Sequence, residues 1–289
     1  MLDITYITNL FSWLIEPQNR TFIAYWLSSG LIITIWAALA WNERKPFLQQ
    51  LASKHYWWNS STRQDYLLII INSMIFTLLG ITWLILTISI ANYSFAGLEY
   101  GFKPSPFAHI DQSISYVVFA IVLILSDDFS RYALHRLLHW KWFWKIHQLH
   151  HSATVLTPLT SLRVHPLEKL LYQLRSSIVY GLCTGIFFFL CGQSAQSWVI
   201  LGISGSTLLF NLLGANIRHS MIPISYGIFE RILISPAQHQ LHHSIMHSRT
   251  NYGSMFSCWD QLFNSWTKGS ETAVLPKAEK NLLRQLLLK

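Results

Sequence analysis

Apolar runs separated by short charged stretches set the pattern of this chain. A helix that crosses a bilayer needs roughly 20 mostly apolar residues. Residues 22–41 (FIAYWLSSGLIITIWAALAW) and 66–91 (YLLIIINSMIFTLLGITWLILTISIA) reach that length without a charge. Residues 114–126 (ISYVVFAIVLILS) form a shorter run, but the pattern continues as DDFSRYALHRLLHW, which predicts one long helix leaving the membrane near Asp127. Residues 178–191 (IVYGLCTGIFFFLC) and 198–213 (WVILGISGSTLLFNLL), split by GQSAQS, predict a helical hairpin with a tight, uncharged turn. The expected fold class is all-α, a multi-span helical membrane protein.

Composition agrees with the pattern. Hydrophobic residues make up 52% of the chain and charged residues 12%, about half the charged share usual for a soluble protein. Lys and Arg number 21 against 13 carboxylates, a formal charge of +8. With such apolar spans, this excess points to an anionic membrane face and not to nucleic acid. The three cysteines, Cys183, Cys191 and Cys258, form no CxxC, which argues against a disulfide framework or a thiolate metal site. The first 21 residues lack the order of a cleavable signal peptide.

The loop charges give the spans a direction. Residues 41–66 hold Arg44, Lys45, Lys54 and Arg63, whereas residues 92–113 hold Lys103 as their one base. Residues 131–175 hold seven bases, the GQSAQS turn none, and Arg218, Arg231, Arg249 and Lys268 follow. Basic loops face the cytoplasm. The alternation predicts five crossings, an external N-terminus, a cytoplasmic C-terminus, and every dense histidine cluster on the cytoplasmic side.

Those clusters carry the chemistry. HQLHH occurs twice, at His147–His151 and at His239–His243, with no repeat around the copies. HRLLH adds His135 and His139, and His165 and His219 stand alone. On a helix, i, i+3 and i+4 share a face, so each cluster aims two or three imidazoles at one point. Imidazole is a common ligand for zinc and iron. His135, His139, His147, His150, His151, His165, His219, His239, His242 and His243 exceed the capacity of one ion, which favours two. His55 and His109 read as ordinary surface or core residues.

HRLLH, HQLHH, RVHPLE and SPAQHQLHH, in that order in a multi-span chain, resemble the fatty acid hydroxylase/sterol desaturase superfamily of integral-membrane, histidine-rich di-iron oxygenases. The resemblance covers about residues 114–267, including DFSRYALHRLLH, NIRHS and NYGSMFSCWDQLFNSW. It implies that the eight clustered histidines are the family's three boxes, and that His165 and His219 are its isolated histidines. Two positions depart: Gly214 stands where many members have a histidine, and WDQLFNSW replaces WDxLFGT, putting Asn264 at the glycine of that turn. Asp128 shares a helix face with Tyr132 and His135, and Glu168 follows His165 by three positions; both carboxylates are candidates for orienting a ligand imidazole. WKWFW at residues 140–144 reads as an interfacial aromatic belt.

The resemblance implies a cytosolic, histidine-rich helical cap that holds a dinuclear metal site. Two Fe ions, with Zn as a possible substitute, would use O2 to hydroxylate or desaturate a lipid such as a fatty acyl chain or sterol. Substrate would enter from the bilayer. No electron-carrying segment is visible, which implies an external ferredoxin or cytochrome-type donor. The rivals are a metal transporter or sensor and a haem cytochrome. Transport and haem ligation need polar ligands inside the spans, and the candidate histidines lie beyond the span ends. The expected organisation is an N-terminal transmembrane region at residues 1–113, a catalytic domain at 114–270 and a tail at 271–289. In that tail PKAEKNLLRQLLLK forms a basic amphipathic helix, lying on the membrane surface or docked on the cap.

Overall fold

The computed structural model describes residues 22–80, 82–192, 205, 208, 210–269, 273–278 and 280–288. The described residues are mainly helical; no strand occurs among them, only an isolated antiparallel bridge between Leu233 and Phe256. The main helices are α1 (Ile23–Ala38), α2 (Trp41–Ala52), α3 (Ser60–Leu79), α4 (Trp83–Gly101), α5 (Gln112–Leu138), α6 (Pro166–Cys191) and the short α7 (Pro236–His242). They divide between two compact units, each assembled from separate stretches of chain. One takes Met1–Ile69, Gln148–Arg163 and Thr207–Lys289; the other takes Ile70–His147 and Val164–Ser206.

The second unit is built on α4, α5 and α6. Asp111 caps α5, its Oδ1 accepting from the Ser113 and Ile114 N–H groups at 2.8 and 3.4 Å. His135 and Arg136 complement the dipole of its last turn. The long helix expected from residue 114 is therefore present. At α6, Pro166 opens the helix and Glu168 sits in its first turn, which extends the short apolar run of 178–191 into 26 residues. Helices α5 and α6 share a core of Phe119, Leu123, Tyr180, Phe187 and Phe188. Helix α4 approaches α6 at Gly181 and Gly185. A Cβ at Gly181 would stand 2.7 Å from Ile90 Cβ and 2.8 Å from the Thr87 carbonyl, and one at Gly185 would run into Ala91 and Ser94. Small residues at this spacing let two membrane helices touch backbone to backbone.

Helices α5 and α6 are each long and apolar enough to cross a membrane. The outer face of α5 carries Ile114, Val117, Val118, Ile121 and Val122, all exposed, as suits a helix surrounded by lipid. The expected span at 66–91 is broken into two helices, α3 and α4, bent by 57°. Gly80 causes the stop: its φ of +57° is left-handed, a conformation that ends helices and that glycine adopts without steric cost. The run at 22–41 gives the 16-residue α1. Most of the GQSAQS turn and of 198–213 lies outside the described residues.

In the first unit, Ile217, Ile222 and Ile224 pack with Ile32 and Trp36 of α1 and Phe47 of α2. The C-terminal helix is shorter than the sequence suggests, covering Leu282–Leu286. Asn281 caps its start, and Leu288 breaks it with a φ of +57°. Lys280 Nζ reaches Gln148 Oε1 at 3.3 Å, so this tail docks on its own unit.

Candidate metal centre

The two HQLHH copies fold differently. The second is helical. Ser235 and Gln238 form a reciprocal capping box, with Gln238 N–H on Ser235 Oγ at 3.1 Å and Ser235 N–H on Gln238 Oε1 at 3.0 Å. Pro236 follows the cap, and the helix carries His239 and His243 one turn apart on a buried face. The first copy does not form one helix. His147 ends a single turn (Trp144–His147), and His150 opens a 3-10 turn, His150–Ser152. The expected common face therefore holds for His239 and His243 of the second copy, with His242 outside their group, and the first copy divides its histidines between the two units.

In the first unit, His150, His219, His239 and His243 form a buried tetrad whose candidate ligand nitrogens all lie within 4.8 Å of one another. His219 Nε2 stands 3.2 Å from His150 Nε2 and 3.0 Å from His239 Nε2. Two nitrogens bound to one ion at about 2.0–2.1 Å stand about 3.0–3.4 Å apart at neighbouring positions. The tetrad has that spacing. Hydrogen bonding alone fits it poorly, because one ring nitrogen carries either one proton or one lone pair and His219 Nε2 faces two others. A cation would meet all of them with lone pairs. The donor set thus fits a metal ion.

The tautomers agree. His150 Nδ1 is 3.2 Å from the Arg163 carbonyl oxygen, which can only accept. The proton sits on Nδ1 and the lone pair on Nε2, toward His219. His242 is oriented alike, with Nδ1 donating to the Thr250 carbonyl at 2.6 Å. Its ring lies 4.8 Å from that of His151, which also stacks on His243 at 4.6 Å. Burial, and then the neighbouring His219, His243 and His242 and the Arg218 charge, hold His239 well below the ordinary histidine range. It stays neutral, as a ligand must.

In the second unit, the last turn of α5 presents His135 and His139, and the chain turns at Trp140–Phe143 to bring back His147. Ring centroids are 5.2 Å apart for His135–His139, 5.0 Å for His135–His147 and 4.8 Å for His139–His147. Glu168, buried in the first turn of α6, has Oε1 2.8 Å from His147 Nδ1. With the proton on Nδ1, this pair would leave the His147 Nε2 lone pair available. Glu168 thus contacts His147, although in sequence it lies nearest His165. Asp128 is buried on the face of α5 that carries Tyr132 and His135.

The structure sets His165 apart. It caps α6, with Nδ1 accepting the Leu167 N–H at 3.1 Å. A neutral ring in that tautomer carries its proton on Nε2, with no second lone pair to offer an ion. His219, isolated in sequence, stands at the middle of the tetrad. His55 and His109 are exposed.

Three charged residues near these groups escape a reading of the sequence. Asp127, one position before Asp128, takes Arg131 Nε at 2.7 Å and Arg175 Nη1 at 2.8 Å, tying α5 to α6. Asp65 and Arg163 form a fully buried pair at 2.6 Å. The one available signal for Asp65 is a carboxylate at the head of a long apolar run.

The comparisons with known proteins accord with this geometry. A fatty acid hydroxylase family model matches residues 120–265, half of the chain, and that range contains all ten candidate histidines. A Delta(7)-sterol 5(6)-desaturase of Gibberella zeae is 29% identical over 165 residues, covering 55% of this chain and 43% of that protein. One of Aspergillus fumigatus is 31% identical over 162 residues, covering 52% and 48%. A very-long-chain aldehyde decarbonylase of Oryza sativa subsp. indica is 29% identical over 185 residues, covering 63% and 62%. The chain spans about half the length of the two desaturases it matches. No solved structure matches it. With its histidine boxes gathered into buried imidazole groups, and with a family model matching half its length, the chain belongs to the fatty acid hydroxylase family.

Proposed function

We propose that the chain is a membrane-bound non-haem di-iron oxygenase that hydroxylates or desaturates a C–H bond of a lipid, such as a fatty acyl chain or a sterol. The observation that carries this reading is the buried tetrad His150, His219, His239 and His243, gathered from both HQLHH copies and NIRHS. One ion would bind there. His135, His139 and His147 would hold a second, and His151 and His242 are the other candidate ligands. The reading takes iron as the active metal and zinc as a substitute. Bound iron would supply O2 reduction and the oxidation of an unactivated C–H bond.

The chain's own residues hold and shield that chemistry. The Arg163 and Thr250 carbonyls and the Glu168 carboxylate fix which nitrogen of His150, His242 and His147 faces outward. Asp128 is the candidate to do the same for His135. Burial holds His239 neutral and shields the rings from bulk water. The names of the relatives, sterol desaturases and aldehyde decarbonylases, support a lipid substrate, entering from the bilayer beside the exposed apolar face of α5. Electrons would come from a ferredoxin or cytochrome-type donor. The catalytic part would be residues 114–270, on the cytoplasmic side; exposed Trp140 and Trp142 beside Lys141 and Lys145 suit that interface.

The test is a comparison of lipids from host cells with and without the chain, grown under 18O2 with a co-expressed electron donor. A lipid that gains one 18O, or loses two hydrogens, is the expected result. Unchanged lipids with iron-loaded protein in the membrane, across hosts that differ in sterols and acyl chains, would sink the reading.

A further inference from the structure

Asp65 and Arg163 are 98 residues apart in sequence and completely buried together. A buried ion pair is costly unless its remaining hydrogen-bonding capacity is also met. Here it is met. Arg163 Nη1 donates to Ser152 Oγ at 3.2 Å, and Nη2 donates to the Ser61 carbonyl and to Ser61 Oγ, the latter at 3.0 Å. On the other side, Asp65 Oδ2 accepts from Thr160 Oγ1 at 3.1 Å and from Thr157 Oγ1 at 3.4 Å. Ser61 Oγ also accepts the Thr154 N–H at 3.2 Å. Thr154, Thr157, Thr160 and Arg163 therefore all converge on one turn of α3, and Ser152 joins them through Arg163.

What this cluster holds is specific. The clamped segment begins at His150 and ends at Arg163, and the Arg163 carbonyl is the acceptor on His150 Nδ1. The side chain of Arg163 is anchored to α3 while its backbone sets the tautomer of a tetrad histidine. We propose that Asp65, Ser61 and Arg163 are positioning residues for His150, so that α3, outside the residues matched by the family model, is a working part of the metal site. This rests on the reading that the tetrad binds a metal ion. The planar five-donor fork of arginine reaches Asp65, Ser61 and Ser152 at once; a lysine ammonium would keep the charge and lose that geometry.

The test uses the full chain, purified in detergent, with cobalt(II) as the probe. Stoichiometry and affinity are measured by chelator competition, ligand geometry by the cobalt absorption bands, and folding by circular dichroism. His219→Ala is the reference for loss of the tetrad. Arg163→Lys and Ser61→Ala are expected to stay folded. They should bind one cobalt about 10- to 100-fold more weakly, with altered bands, the usual size of an effect acting through a ligand's own partner. The other cobalt should be unaffected. If both cobalt ions weaken equally, the cluster is a general brace and the proposal fails. If His219→Ala loses a cobalt while Arg163→Lys and Ser61→Ala match the parent, the proposal also fails and the tetrad stands. If His219→Ala itself changes nothing, the underlying metal reading fails instead. Asp65→Asn leaves a buried arginine unpaired and is the variant most prone to misfold, so the two milder substitutions decide.

Discussion

At the scale of residues, the histidines divide into those whose nitrogen faces a neighbouring ring and those that do not. His139, His150, His151, His242 and His243 are expected to abolish turnover when replaced singly by alanine, with bound iron falling as well, because metal binding and folding of the surrounding segment are coupled. Asp128→Ala and Glu168→Gln should be milder, about 10- to 100-fold in activity or metal affinity. Exposed His55 and His109 should tolerate alanine. Membrane-inserted yield is measured beside turnover and iron content, so that misfolding is not scored as lost chemistry; an essential His55, or two dispensable box histidines at full iron occupancy, would refute the assignment. Clustering in the sequence drew attention to eight of these residues, but helical periodicity accounts for the pairs His135/His139 and His239/His243 alone, because the first HQLHH copy forms no single helix. His165 differs from them in that its Nδ1 accepts a backbone N–H, a relation that spacing does not record. Asn264 shows a replacement that the fold absorbs. The family's glycine is missing there, yet Asn264 adopts a φ of +57°, a region asparagine enters more readily than most residues. Asp260 still collects the Tyr252 and Gly253 N–H groups and the Ser265 hydroxyl.

Among the elements, hydropathy located helices well and their ends poorly. It found α5 nearly whole. It missed the break between α3 and α4, since residues 66–91 are apolar throughout and one glycine conformation decides the bend. It also missed the first turns of α6, which are polar and form because Pro166 and the His165 cap start the helix early. Helix-on-helix contact was invisible to hydropathy, yet Gly181 and Gly185 record it as missing side chains. Gly185→Leu would drive a side chain into Ala91 and Ser94 of α4, and overpacking of this kind costs about 1–3 kcal/mol. Thermal unfolding in detergent should shift down accordingly. Gly30→Ala on α1, where a Cβ meets nothing within 4 Å, should unfold with the parent or slightly above it. Equal melting of Gly185→Leu and the parent would mean that α4 and α6 do not pack this closely.

Over the whole molecule, the organisation into two units drawn from interleaved stretches had no local signal, because a pair such as Asp65 and Arg163 contributes nothing to periodicity. Orientation in the bilayer is different: it follows from charge counted over loops, which sequence does record. The stretches before α3 and between α5 and α6 are basic, and the one between α4 and α5 has a single base. A charged loop that must cross costs more than one that stays, so basic loops remain cytoplasmic. With Cys183, Cys191 and Cys258 replaced by serine, single cysteines are introduced in turn at exposed positions of residues 140–145 and within residues 193–197. A membrane-impermeant maleimide applied to intact cells should label the second set and spare the first, and cell lysis should open the first set to labelling. The bend between α3 and α4 gives this experiment a further use. If those helices are one broken span, a cysteine at Lys103 labels from outside; if the bend returns the chain to the side it came from, Lys103 labels with residues 140–145. Labelling of residues 140–145 from outside would place the histidine groups on the external face and remove the proposed access of a cytoplasmic electron donor.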